Sequence, residues 1–202
     1  MMMLAALLTV LGCGETPTPG LSYGEELFET CVPCHGPAGL GKPSLEAPAI
    51  AGLEQWYIER QLLKFQDGRR GSHPNDLEGL RMRSMARTLE HEGDIESVAE
   101  YASKLPHVDA GTTIAGDAER GESTFIACAA CHAADGTGNE ALGAPSLVGL
   151  DDWYVVAQLE KFASGVRGGN PDDLQGVQMR PMAIALDEQA RHDLAAHLQT
   201  LR

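Results

Sequence analysis

The residues with chemistry in them form a repeated pentapeptide: Cys31-Val32-Pro33-Cys34-His35 and, 97 positions on, Cys128-Ala129-Ala130-Cys131-His132. Two thiols three residues apart on a helical turn share a face, roughly 5–6 Å from each other. From there they can form thioethers to the two vinyl groups of one porphyrin, while the adjacent imidazole is directed at the iron. C-x-x-C-H is the attachment signature of c-type haem. Two copies predict two haem c groups, one on Cys31 and Cys34 and one on Cys128 and Cys131, with His35 and His132 as proximal ligands. A single zinc site built from both cysteine pairs would need them in one place, and duplication puts them in separate cores. A thioredoxin-like redox pair would need a βαβ pattern, which neither motif has.

The sixth iron ligand decides between electron transfer and open-site chemistry. Each copy supplies two methionines in matched context, Met82 and Met85 in RMRSMA and Met179 and Met182 in QMRPMA. A thioether raises the potential relative to a second imidazole and closes the iron to substrate. Residues three apart can share a helical face, so spacing alone does not choose within either pair. The other histidines, His73, His91, His107, His192 and His197, have no histidine counterpart in the other copy.

These ligands need a frame, and the repeat supplies it. From Gly24 to Leu89 the copies align without a gap, matching Phe28 with Phe125, Trp56-Tyr57 with Trp153-Tyr154 and Lys64-Phe65 with Lys161-Phe162. About a hundred residues per copy suffice for an independent core. Hydrophobic periodicity gives helices and almost no strand. Ser22 and Asp117 are expected N-caps of helices that run into the cysteine motifs. Glycine- and proline-rich loops follow, Gly36 to Pro48 and Ala133 to Pro145. Then come amphipathic helices, Leu53 to Gln66 and Leu150 to Ala163, second loops, and last helices Glu92 to Leu105 and Asp187 to Leu201. Aromatic residues make up only 5% of the chain, too few to fill two cores unaided, so each domain is expected to fold around its porphyrin.

Met1 to Leu11 is apolar apart from Thr9 and ends in Val10-Leu11-Gly12-Cys13. It is shorter than the roughly 20 apolar residues a membrane span needs and reads as the core of an export signal. Val-Leu-Gly-Cys resembles a bacterial lipobox, which predicts acylation of Cys13; the alternative is an ordinary signal cleaved nearby. Four of the five cysteines belong to the haem motifs, leaving Cys13 without a disulfide partner. The expected organisation is an export signal over 1–12, a tether over 13–21, a first domain over 22–105, a linker over 106–116 and a second domain over 117–202. The formal charge of −14 disfavours nucleic acid, which calls for a basic stripe. It fits solubility or steering toward a basic partner.

From Leu21 to its end the chain resembles the cytochrome c4 family. That resemblance implies an all-α protein of two tandem class I cytochrome c domains, each folded around one covalently bound haem, with both irons His/Met ligated. In the family the ligand methionine lies eight residues before the residue that opens the last helix segment. This maps onto Met82 before Glu90 and Met179 before Asp187, leaving Met85 and Met182 as runners-up. The family also implies that the Pro48 and Pro145 carbonyls orient the proximal imidazoles, and that Phe28 and Phe125 pack on the last helices. Tyr101 meets Phe28 there, whereas its counterpart at the same offset is Leu198, which would loosen the second contact. Arg70, Arg167, Trp56 and Trp153 suit haem propionates, and equally suit exposed charge or packing.

Three functions follow. The first is a periplasmic electron carrier, lipid-anchored through Cys13, between redox proteins such as a respiratory dehydrogenase, cytochrome bc1 or a terminal oxidase. The second is a dihaem oxidoreductase, which would need a labile iron or an unusual ligand such as cysteine; the mature domains have no spare cysteine and both keep their methionines. The third is a haem subunit held permanently by a dehydrogenase or oxidase. The expectation is the carrier, with no contact to nucleic acid and none to the membrane beyond the anchor.

Overall fold

In the computed structural model the described residues are 19–108 and 111–201. The expected export signal, Cys13 and most of the tether lie outside them. The described chain is helical, with no strand beyond two isolated bridges, Lys42 to Ala47 and Asn139 to Ala144. The first domain holds α1 (Leu21–Phe28), α2 (Val32–His35), α3 (Gln55–Asp67), α4 (Leu77–Ala86) and α5 (Asp94–Lys104). The second holds α6 (Ala118–His132), α7 (Asp152–Ser164), α8 (Leu174–Ile184) and α9 (Glu188–Leu198).

Asp117 caps α6, accepting from the Glu119 and Arg120 N–H groups, and α6 runs unbroken through its cysteine motif. The first copy differs. Gly20, not Ser22, precedes α1, and the helix stops at Phe28 before restarting at Val32, with Pro33 tolerated in the first turn of α2. Helices α4 and α8 are elements that periodicity did not announce. Their glycines, Gly79 and Gly176, sit against the capping carboxylates of Asp76 and Asp173, which accept from the glycine N–H groups.

In each domain the first helix crosses the last at a glycine. A Cβ on Gly24 would collide with the Ser97 carbonyl, and one on Gly121 with the Asp193 carbonyl. Ser97 and Asp193 are 96 residues apart, not 97, so one residue has been lost before the last helix of the second copy. This overturns the pairing of Tyr101 with Leu198. Phe28 meets Tyr101 at 5.3 Å between ring centroids, and Phe125 meets His197 at the same 5.3 Å. The second contact is therefore kept, with an imidazole in place of a phenol, and Leu198 is buried in the core. The first-domain helix also opens later than expected, at Asp94, because Gly93 takes a left-handed conformation and the Asp94 carboxylate turns back to accept from the His91 N–H. Glu90 thus lies ahead of α5, whereas Asp187 caps α9 as expected.

The cores follow this frame. Phe28, Leu89, Val98 and Ala102 cluster in the first domain. The second packs Phe125, Val155, Leu159, Phe162 and Leu194 among others. The linker is tied down at its far end, where the Thr113 N–H and hydroxyl and the Ile114 N–H all donate to the Asp152 carboxylate at the start of α7.

Candidate haem-binding sites

Each histidine of the repeated motif ends a helix and is buried, His35 to 4% and His132 to 6% exposure. The chain then swings away at Gly36 (φ 75°) and Ala133 (φ 64°) into loops that bring prolines back over the imidazoles. His35 Nδ1 donates to the Pro48 carbonyl and His132 Nδ1 to the Pro145 carbonyl, both at 2.8 Å. With the proton held on Nδ1, the Nε2 lone pair is left for a metal. Burial pushes both imidazoles below their ordinary pKa against the pull of the proline carbonyls, which favours the neutral, ligating form. His35 Nε2 is buried and has no hydrogen-bond partner.

That atom belongs to a cavity of about 210 Å³ whose lining includes Cys31, His35, Pro48 and Met82. A thiol, an unpartnered imidazole nitrogen and a thioether around one largely apolar space are the donor set that haem c needs, so the residues fit the group. Met85, three residues on, is 40% exposed. In the second domain Cys128 and Met179 pack against the same core cluster, while Met182 is 40% exposed. None of the four motif cysteines is joined in a disulfide; before attachment, burial would push the Cys31 and Cys128 thiols above the ordinary thiol pKa.

The first cavity is closed by the second domain. Trp153, Tyr154, Ala157, Gln158 and Lys161, all on α7, contribute to its lining. The interface that brings them there is a set of reciprocal bonds between positions 97 apart. Lys64 donates to Asp173 at 2.5 Å and Lys161 to Asp76 at 2.6 Å. Arg70 donates to the Tyr154 hydroxyl and to Gln158, and Arg167 donates to the Tyr57 hydroxyl and to Gln61. The Ala49 N–H donates to Asp151, and the Ser146 N–H to Glu54. Glu54 and Asp151 sit at the N-cap positions of α3 and α7, yet neither caps its own helix with its side chain; each reaches across instead. Every bond returned by its counterpart defines a local two-fold axis between the domains.

The arginines proposed from sequence as propionate partners thus hold the interface, Arg70 also lining the first cavity. The lysine–aspartate pairs were visible as repeat identities only. A lysine kept in both copies next to a phenylalanine, Lys64-Phe65 and Lys161-Phe162, was the available signal, and its partner could not be read because it lies in the other domain.

Fold and site define a c-type cytochrome built of two domains. A cytochrome c family model matches residues 21–106 and again 118–202, and the chain belongs to that family. Cytochrome c4 of Stutzerimonas stutzeri is 31% identical over 214 aligned residues, covering 98% of each chain. The thiosulfate dehydrogenase electron acceptor of Thiomonas intermedia (strain K12) is 32% identical over 180 residues, 83% of this chain and 78% of that one. The crystal structure of reduced recombinant cytochrome c4 from Pseudomonas stutzeri superposes with a TM-score of 0.71 at 29% identity, over 92% of this chain and 100% of that one. Within the cytochromes c, the chain is a member of the tandem cytochrome c4 family, an electron-transfer protein and not an enzyme.

Proposed function

We propose that this protein is an exported dihaem electron carrier. In this reading Cys31 and Cys34 hold one haem c and Cys128 and Cys131 the other. His35 with Met82, and His132 with Met179, are the axial ligands. The observation that carries it is the unpartnered, buried Nε2 of His35 in one cavity with Cys31 and Met82, while Met85 stands exposed outside that lining. Bound haem would supply a one-electron couple. The chain's own residues would set its behaviour: the Pro48 and Pro145 carbonyls hold the imidazoles in the ligating tautomer, the methionines occupy the position substrate would need, and the apolar lining excludes water.

The domain limits remain those expected from sequence, 22–105 and 117–202 joined by 106–116. Cys13 is the lipid-anchor residue of this reading and the periplasm its location, since the chain would otherwise need no apolar segment ahead of an isolated cysteine. A relative named for accepting electrons from thiosulfate dehydrogenase supports a dehydrogenase donor of that kind, with a terminal oxidase among the acceptors.

Optical spectra of the haem-loaded protein test the ligands. Ferric protein is expected to show the long-wavelength charge-transfer band of methionine ligation, and ferrous protein to ignore carbon monoxide. Met82→Ala or Met179→Ala should halve the band and admit carbon monoxide at one haem; Met85→Ala and Met182→Ala should do neither. Carbon monoxide binding by the unaltered protein would overturn the reading.

A further inference from the structure

The second domain contributes an indole to the wall of the first haem site. Trp153 stands in the first turn of α7, edge-on to Tyr154 at 5.8 Å between ring centroids, and both residues line the first cavity. The Trp153 Nε1–H is buried and has no hydrogen-bond partner. Among the described residues, the side chains lining this cavity leave two buried nitrogen or oxygen atoms unpartnered, His35 Nε2 and Trp153 Nε1. The first offers a lone pair, assigned above to iron. The second is a donor, since an indole nitrogen cannot accept. A buried donor left unmet carries a desolvation penalty that an acceptor would remove.

The neighbouring polar groups are engaged with one another. Lys161 holds Asp76 and Glu78 at 2.6 and 2.7 Å. Arg70 donates to Gln61, Tyr154 and Gln158, and Glu46 faces Arg81. The group that fills the cavity must therefore bring an acceptor of its own. In haem c the vinyl groups are taken by the cysteines and the pyrrole nitrogens by iron. The acceptors that remain are the two propionate carboxylates.

We infer that Trp153 of the second domain donates its indole N–H to a propionate of the first domain's haem, and so positions that haem from across the domain interface. This rests on the dihaem reading above and deepens it. The tryptophan serves the haem of the other domain, and the first site is complete only when the second domain is docked. A neutral donor fixes the direction of the carboxylate without disturbing the ion pairs already made around it.

The second site is built differently. Trp56, the counterpart of Trp153, has the Arg60 guanidinium over its ring, 4.6 Å from the centroid. Arg60 itself reaches the second domain, where a Cβ on Gly143 would stand 2.6 Å from its Nη1. At the position matching Arg60, α7 carries Ala157. That alanine lines the first cavity and is too short to cover Trp153.

The test is NMR of the full haem-loaded chain in its reduced state, followed through the indole N–H signals. The chain has two tryptophans, so Trp56→Phe and Trp153→Phe each assign both signals. The Trp153 N–H is expected to show cross-relaxation to the propionate methylene protons of the haem joined to Cys31 and Cys34, and to none on the other haem. Resonance Raman spectra supply a readout that packing alone would not move. Trp153→Phe keeps an aromatic ring and removes the donor, and is expected to shift the propionate-bending band of one of the two haems. Cross-relaxation to the haem on Cys128 and Cys131 instead, or to neither, would overturn the inference. So would a propionate band that Trp153→Phe leaves in place. If that variant does not fold, cross-relaxation in the unaltered chain decides, with its signal assigned through Trp56→Phe. The haem count and the methionine band test the dihaem reading separately, so a two-haem chain without this contact fails the present inference alone.

Discussion

Lys64 of the first domain bonds to Asp173 of the second at 2.5 Å, with the side chains only 4% and 2% exposed. The same Asp173 caps α8 through the Gly176 N–H, so one carboxylate starts a helix and closes the interface. Its counterpart, Lys161 to Asp76, is looser: the lysine is 20% exposed and shared with Glu78. Two ion pairs of identical sequence origin thus sit in different dielectric surroundings.

That difference predicts unequal costs. Removing one partner of a fully buried pair strands the other charge, at about 3–5 kcal/mol. Asp173→Asn, which leaves Lys64 buried without its carboxylate, is therefore expected to cost about that much in denaturant unfolding of the haem-loaded protein. Asp76→Asn, which leaves Lys161 reached by water and still paired with Glu78, should cost about 1–2 kcal/mol by the same reasoning. Equal costs would show that the burial difference has no energetic weight.

Glu78 makes the interface acid-sensitive. Partial burial opposes its carboxylate, yet Lys161 at 2.7 Å and the neighbouring Glu46 hold its pKa at about 2. A carboxyl whose pKa is lowered by folding stabilises the protein fully above its unfolded value of about 4.3. That contribution is lost as pH falls toward 2. Glu46, raised chiefly by Glu78, carries the opposite sign at higher pH. Melting temperature is expected to fall steeply below about pH 4.3, and Glu78→Gln to flatten that limb.

Ala133 carries backbone strain. It lies at φ 64° and ψ 157°, a region close to glycine-only, and its counterpart Gly36 lies at φ 75° and ψ 160°. Ala133→Gly is expected to stabilise the haem-loaded protein by about 1 kcal/mol, and Gly36→Ala to cost at least as much. Guanidinium midpoints followed by circular dichroism read both. An Ala133→Gly protein less stable than the original would mean the surroundings relieve the strain.

Much of the frame was legible because it is local. C-x-x-C-H needs only one helical turn to define its chemistry, and Asp117 announces α6 by capping chemistry confined to four residues. Local reading went astray where the cause was distant. The loss of one residue before α9 is invisible in gapless pairing up to Leu89, and only the Gly24–Ser97 and Gly121–Asp193 crossings reveal it. Helices α4 and α8 carry weak apolar periodicity, and the aspartate that starts each also serves the other domain, a role local sequence does not show.

The amino-acid sequence by itself determined the number of cysteine–histidine motifs, the duplication, the helical class and the family, since covalent spacing and repeat identity are properties of order along the chain. Only the tertiary structure decided which methionine of the first pair shares a cavity with His35, that α7 walls the first cavity, and that Arg60 of the first domain reaches Gly143 of the second. Those facts depend on a two-fold packing of domains 97 residues apart. A side chain's partner across such an axis is fixed by distance in space, which sequence separation does not encode.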